Sequence, residues 1–214
     1  MTHSNLGRRQ FLRNTSLAGA AGLAATTFGG IVEAHDPVQR RTLRHFQDIQ
    51  RHENDHVDFL LTALGGAARP KPTFQNLEQR NYRMFVKVSQ ALENTGVGAY
   101  LGAAKFIFNR EVLAAAGSIA LIEGRHAGWL NSLVNDPITT NVFGQEQSFE
   151  TPLTADEVVA QAAPFVASLN DGPLLTYSTT PSDATDVEIL NFALALEYLE
   201  AEFYNLNVPA VVQR

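Results

Sequence analysis

The sequence of 214 residues contains no cysteine, and this absence excludes several classes of site. Disulfide frameworks, thiolate zinc sites, cysteine-ligated iron–sulfur clusters and cysteine nucleophiles all need that side chain. Basic residues are also scarce, since 16 Lys and Arg stand against 22 Asp and Glu, for a formal net charge of −6. Nucleic-acid binding needs a clustered basic face, and none occurs after residue 51. We therefore expect no nucleic acid among the partners.

The chain also lacks an apolar run long enough for a membrane helix. Its best candidate, residues 15–31, is rich in Ala, Gly and Thr and is shorter than the ~20 apolar residues that a span needs. This run follows the twin arginines Arg8 and Arg9, whose surroundings resemble a twin-arginine export signal, and a small residue, Ala34, suits cleavage. We predict a signal peptide over residues 1–34, a periplasmic or otherwise exported protein, and no stable membrane span after cleavage.

Sustained alternation of apolar and polar residues is missing from the remaining chain, so the sequence predicts no substantial sheet. Helical periodicity instead marks four segments, namely residues 37–64, 77–108, 110–134 and 185–205. Residues 135–184 hold one short helical candidate, residues 155–169, which begins with a capping-box pattern. A loop this long is uncommon, so we expect part of it to pack on the helices. These features predict an all-α fold, an antiparallel four-helix bundle over residues 35–214 with one long connection.

One glutamate lies near the middle of the apolar stripe of each helical segment. These residues are Glu53, Glu93, Glu123 and Glu197. A carboxylate that faces a bundle core must be paired, protonated or bound to metal, because an isolated buried charge is very costly. No Lys or Arg shares these stripes. Four such glutamates therefore indicate a polar site inside the bundle, whereas we interpret Glu200, Glu202, His45 and His52 as surface residues.

Two of the glutamates belong to Glu-x-x-His motifs, Glu53 with His56 and Glu123 with His126. Residues three apart lie on one helix face, so each pair can reach a single metal ion. The other two glutamates each precede a tyrosine by seven residues; these tyrosines are Tyr100 and Tyr204. The alternation of the two patterns indicates an internal two-fold repeat. We consider both tyrosines as candidate catalytic residues whose hydroxyls bond a ligand or relay a proton or radical; alternatively, they are plain core aromatics.

Together these motifs match the ligand set of dinuclear carboxylate proteins, in which two helices give one Glu each and two give Glu-x-x-His. Four carboxylates balance the charge of two divalent ions. Mixed carboxylate and imidazole ligands without thiolate favour iron or manganese over copper. The predicted metal ligands are Glu53, His56, Glu93, Glu123, His126 and Glu197.

At these motifs the chain resembles the ferritin-like superfamily, and it is similar to the ferritin-like domain family that includes desiccation-related proteins. The likeness is carried by residues 93–104, 122–127 and 186–204, and with the segment around Glu53 it covers most of 38–134 and 185–205. In that family the helix that corresponds to 186–204 comes first, whereas here it comes last. The resemblance therefore implies a circularly permuted helix order, which a closed bundle tolerates. The alternative is exchange of the last helix between two chains, giving a homodimer.

These observations leave three functions open. The first is redox chemistry of a dinuclear iron or manganese site with a small oxidant, hydrogen peroxide or dioxygen; the ligands alone do not separate peroxide disproportionation, peroxide reduction and ferrous oxidation. The second is a non-catalytic stress- or desiccation-related protein in which a metal, if bound, stabilises the bundle. The third is a helical partner-binding module without metal, which leaves the four glutamates unexplained.

Overall fold

A computed structural model describes residues 37–212, with side chains described for residues 39–210. The described residues form five α-helices: α1 (Pro37–Leu64), α2 (Tyr82–Ala104), α3 (Arg110–Leu133), α4 (Ala155–Ala162) and α5 (Asp183–Val212). Tertiary contacts divide the chain after Thr42, and the bundle lies in the unit that starts at Leu43. The predicted export signal lies outside the described residues.

Strands contribute little, and the predicted all-α class is confirmed. The one named sheet among residues 37–212 pairs β1 (Thr73–Phe74) with β2 (Val166–Ser168) in antiparallel fashion. Two short 3₁₀ helices, Gly65–Ala67 and Ala163–Phe165, follow α1 and α4. Within the same range, none of the helices combines the length and apolar character needed to cross a membrane.

Local capping explains where the helices depart from the predicted bounds. The second helix begins at Tyr82 rather than at residue 77, because the extended Asn81 caps it by accepting a hydrogen bond from the Met84 amide. The short helix α4 has the predicted capping box of Thr154 and Glu157, yet it ends at residue 162. The last helix continues beyond residue 205 and passes through Pro209 to residue 212. Proline removes one backbone hydrogen bond there, and the helix continues nonetheless.

Contacts between the helices define their directions. Tyr100 of α2 bonds Glu197, and Tyr204 of α5 bonds Glu93, so α2 and α5 are antiparallel. Helix α1 is also antiparallel to α5, since its residues 50 and 56 bond residues 205 and 197, respectively. Helix α3 follows α2 after a short turn and runs back along it. The bundle therefore has α1 and α2 in one direction and α3 and α5 in the other, and the links 65–81 and 134–182 both return along its length.

Two apolar clusters fill the bundle on either side of the four glutamates. One contains Phe46, Ile49, Phe85, Leu130 and Phe203 among its buried members, and the other contains Val57, Leu60, Ile119, Leu190 and Leu194. On α1 the glutamate falls between Ile49 and Val57, and on α3 it falls between Ile119 and Leu130. Burial of these apolar side chains is the main source of stability, and it places the carboxylates at mid-height.

Part of the long connection packs directly on α2. Leu153 is buried, and its amide donates to the Gly98 carbonyl at 2.9 Å. A Cβ atom at Gly102 would lie 1.8 Å from the Leu153 carbonyl oxygen, so only glycine fits there. Gly98 and Gly102 thus let the connecting segment pack closely against α2. Val158 of α4 is buried in the same apolar cluster.

Candidate metal centre

The structure brings all six predicted ligands together in the middle of the bundle. Helix α1 supplies Glu53 and His56, α2 supplies Glu93, α3 supplies Glu123 and His126, and α5 supplies Glu197. The glutamates are at most 1% exposed, and His56 and His126 are 9% and 6% exposed. Their ligand atoms form two groups, each within 4.8 Å: Glu53, Glu93, Glu123 and His126, and Glu53, His56, Glu123 and Glu197.

Glu53 and Glu123 belong to both groups and so lie between the two histidines. The Oε1 atom of Glu53 lies 3.1 Å from Nδ1 of His126, and its Oε2 atom lies 3.1 Å from Nδ1 of His56. Glu123 approaches His56 through Oε1 at 3.3 Å. Carboxylates in this position can bridge two metal ions.

Glu93 and Glu197 lie on the outer sides of the two groups. Glu93 is 3.0 Å from Nδ1 of His126, and its other oxygen accepts a 2.6 Å hydrogen bond from the Tyr204 hydroxyl. Glu197 is 3.2 Å from Nδ1 of His56, and its other oxygen accepts a 2.5 Å hydrogen bond from the Tyr100 hydroxyl. Each tyrosine thus bonds the glutamate of the opposite helix and orients its carboxylate.

Three oxygens of the central glutamates are buried and accept no hydrogen bond of good geometry, although two of them lie within ion-pair distance of a histidine Nδ1 atom. They are Oε1 of Glu53 and both carboxylate oxygens of Glu123. Leaving such atoms unpaired is costly, because their hydration is lost without replacement. Carboxylate oxygens together with imidazole nitrogens are suitable ligands for divalent iron or manganese. The donor set therefore fits a divalent cation, which would take up these unpartnered oxygens.

The electrostatics of the centre favour protons where no cation is bound. Burial, and then the charge of Glu123, raises the pKa of Glu53 to about 7. Burial, and then the charge of Glu93, raises the pKa of Glu123 to about 8. For His126, burial opposes protonation, yet the carboxylates of Glu93 and Glu53 raise its pKa to about 11. The pKa of His56 is raised by its carboxylate neighbours in the same way. Metal binding must displace these protons.

A fifth buried carboxylate, Glu200, was missed by the sequence prediction, which placed it at the surface. Glu200 is 3% exposed, and burial raises its pKa well above the usual value. A Cβ atom at Gly96 would lie 3.6 Å from Oε1 of Glu200, an ordinary contact, but 2.9 Å from Oε2 of Glu123, so the glycine leaves room for the Glu123 carboxylate beside Glu200. The available signal was its position three residues after Glu197, on the same helix face. The neighbouring Glu202 is more exposed and pairs with Lys71.

His52 is the second residue that the sequence prediction misplaced at the surface. It is half-buried, and its Nδ1 atom lies 2.9 Å from Nε2 of His126. The two rings are within 6° of parallel. Burial, and then the charge of His126, lowers the pKa of His52. No periodicity could have found this contact, because it joins α1 to α3 and depends on how the two helices are rotated.

The fold and the site together thus define a class of protein. It comprises helical bundles with a buried cluster of carboxylates and histidines. The chain matches the ferritin-like domain family over residues 13–136 and 185–211, more than half of its length. It belongs to the ferritin-like domain family, which confirms the resemblance to the ferritin-like superfamily. All six candidate ligands fall within the matched ranges, and most of the long connection falls outside them. Neither the comparison with curated proteins nor that with solved structures gives a match.

Proposed function

We propose that the protein holds a dinuclear iron or manganese centre that reacts with hydrogen peroxide or dioxygen. The observation that carries this proposal is the pair of overlapping ligand groups, which share Glu53 and Glu123. One metal position would use Glu93 and His126 besides the shared carboxylates, and the other would use His56 and Glu197. Iron or manganese held by these residues would supply the redox chemistry toward the oxidant, while the protein side chains hold and orient the ligands.

The side chains around the ligands have roles of their own in this proposal. The hydroxyls of Tyr100 and Tyr204 hold Glu197 and Glu93, so these carboxylates keep one oxygen turned toward the histidines. Near the centre, a small cleft of about 10 Å³, room for about one water-sized molecule, is lined by Leu92, Gly96 and Glu200 among others. We propose this cleft as the approach for a small oxidant. Gly96 lines it and has no side chain that would stand between the cleft and the carboxylate of Glu123.

Metal content and peroxide turnover test the proposal. The full chain, purified from its own host or reconstituted with Fe²⁺ or Mn²⁺, should contain about two metal ions per chain by elemental analysis. His126→Ala should lower the metal content to one or fewer and abolish peroxide consumption. The matched control is His45→Ala, since His45 lies on the same helix as the ligands of α1 and contacts Trp129 rather than the centre. A folded wild-type chain that takes up neither metal would refute the proposed centre.

The complete burial of the four glutamates favours a second candidate, a metal that only stabilises the bundle. A structural site closes its coordination sphere, whereas a catalytic site keeps a position open. Full metal content with no turnover of peroxide or dioxygen would therefore indicate a structural metal. Such a role is compatible with the proposed relation to desiccation-related proteins. Retention of the metal should then raise the melting temperature as any ligand of the native state does.

Export, helix order and assembly belong to the same proposal. We propose that residues 1–34 direct the chain through the twin-arginine route to the periplasm, which fractionation of the host would test. The helix directions support a permuted order, because α1 and α2 are parallel and their link 65–81 must return along the bundle. A homodimer that exchanges α5 remains the alternative. Light scattering of the full chain distinguishes a monomer from that dimer.

A further inference from the structure

We propose that the two metal positions bind unequally, and that His52 is a positioning residue that makes the position at His126 the tighter one. This inference rests on the proposed function, because it assumes that the two ligand groups hold metal. It goes beyond that function in assigning an order of filling and a role to a residue that is not itself a ligand.

The first step is the orientation of the His126 ring. Its Nδ1 atom faces Glu53 at 3.1 Å and Glu93 at 3.0 Å, and its Nε2 atom faces Nδ1 of His52 at 2.9 Å. A histidine that binds metal through Nδ1 keeps its hydrogen on Nε2. The Nδ1 lone pair of His52 is placed to accept that hydrogen. His52 therefore opposes a ring flip and selects the tautomer that ligates.

The second step is the absence of such a partner at the other histidine. His56 directs Nδ1 at the carboxylates of Glu53, Glu123 and Glu197. Among the described residues, no hydrogen bond reaches its Nε2 atom. The internal repeat explains why: the residue before Glu53 is His52, and the residue before Glu123 is Ile122, which has no polar atom to offer.

The two outer carboxylates are held alike in the two halves of the centre. The tyrosine contacts are equivalent in the two halves, because Tyr204 bonds Glu93 and Tyr100 bonds Glu197 at similar distances. Differences in carboxylate orientation therefore do not favour one position. The His52 contact distinguishes them, and hydrogen-bond partners of metal-binding histidines typically change metal affinity by about 10–100-fold.

The proposed role requires one change in the surroundings of His52. Arg51 can only donate, and it lies 3.2 Å from the outer nitrogen of His52, Nε2, while it is also paired with Asp48 at 2.9 Å. This contact favours a hydrogen on Nδ1 of His52, so Arg51 must turn away for Nδ1 to accept from His126. When Nδ1 of His52 accepts from His126, the hydrogen of neutral His52 lies on Nε2. The Arg51 side chain is 60% exposed, so it can turn away from that hydrogen and keep its contact with Asp48.

A zinc titration of the full chain, labelled with ¹⁵N-histidine, tests the inference. Zn²⁺ is redox-silent and diamagnetic, so imidazole resonances report which ring is bound. We expect the Nδ1 resonance of His126 to shift during the first equivalent and that of His56 during the second. His52→Leu should lower the tighter affinity by about 10–100-fold, so that the two rings shift together.

Two further variants separate positioning from general damage. His52→Asn places an amide oxygen near the lost Nδ1 atom and should restore most of the difference between the two steps. Ile122→Ala perturbs the equivalent place beside Glu123 and should leave the order of filling unchanged. Parallel shifts of both rings in the wild type, or His56 shifting first, would overturn the inference alone. A wild-type chain that binds no zinc, iron or manganese would overturn the proposed centre as well.

Discussion

The middle of the four-helix bundle and its two ends are built from opposite kinds of side chain. The ends are apolar clusters that include Phe46 and Leu130 on one side and Leu60 and Leu194 on the other. The middle is a set of buried carboxylates and imidazoles, several of whose oxygens have no hydrogen-bond donor. Apolar burial stabilises the fold at the ends, whereas the middle opposes folding until protons or cations neutralise its charge.

Burying the like charges of the site costs folding free energy, which the apolar ends of the bundle must offset. Native domains are stable by only about 5–15 kcal/mol, so a cluster of like charges is tolerated only where the remaining core is well packed. Removing a charge from the middle should therefore raise the stability of the metal-free protein while it lowers metal binding. Changes at the ends should affect stability alone.

The largest effect is expected from neutralising a shared carboxylate. Glu123→Gln keeps the side-chain volume, removes a buried charge whose two oxygens accept no hydrogen bond, and should eliminate at least one bound metal per chain. The same variant should raise the melting temperature of the metal-free protein at pH 8, because less charge is then buried. Elemental analysis and calorimetry measure the two outcomes. Glu202→Gln, at an exposed position, is the control and should alter neither.

The next effect concerns the ends. Leu130→Ala and Leu60→Ala each remove a fully buried side chain from one apolar cluster. Each should lower the free energy of unfolding by about 2–5 kcal/mol, measured by urea denaturation. Below the melting temperature both variants should still bind the wild-type amount of metal. Loss of metal from the folded variants would show that the ends and the middle are not separate in function.

A smaller effect is expected from the tyrosines. Tyr204→Phe and Tyr100→Phe each remove the hydroxyl that donates to an outer carboxylate. Loss of a hydrogen bond to a charged group changes stability by about 1.5–3 kcal/mol, and metal affinity should fall by about 10-fold or more. Competition with a chelator measures that affinity. Unchanged affinity in both variants would assign the tyrosines to core packing, the alternative interpretation of the sequence.

The smallest effect is the pH dependence of the metal-free protein. The pKa values of Glu53 and Glu123, about 7 and about 8, exceed the value of 4.5 for an unperturbed glutamate, and that of His126, about 11, exceeds 6.5. Groups with a raised folded pKa bind protons more tightly in the folded state, so their contribution is complete at low pH and is lost as pH rises through the folded pKa.

The melting temperature of the metal-free chain should therefore fall between pH 5 and pH 8, by at least the ~2–4 °C that 1 kcal/mol produces in a domain of this size. Bound metal should weaken or reverse the trend, because its affinity increases as protons leave the ligands. Differential scanning calorimetry in chelator and in excess Mn²⁺ compares the two forms. A metal-free chain that becomes more stable over this pH range would contradict the expectation that bound protons neutralise the carboxylates of the empty centre.

Much of the fold and most of the candidate site follow from local patterns in the sequence. Helical periodicity identifies the four long helices, because apolar residues recur at 3.6-residue spacing wherever one face is buried. The same spacing places Glu53 and His56 on one face of α1, and Glu123 and His126 on one face of α3. These are properties of single helices, so a linear pattern is sufficient to find them, including the glutamates that interrupt each apolar stripe.

Which side chains meet across helices depends on how the helices pack in three dimensions. The sharing of Glu53 and Glu123 between two ligand groups, the pairing of Tyr204 with Glu93, and the contact of His52 with His126 all join different helices. Such contacts depend on the direction, rotation and height of each helix, which a periodic pattern within one helix does not contain. Glu200 is buried for the same reason, because it packs beside Gly96 of a neighbouring helix.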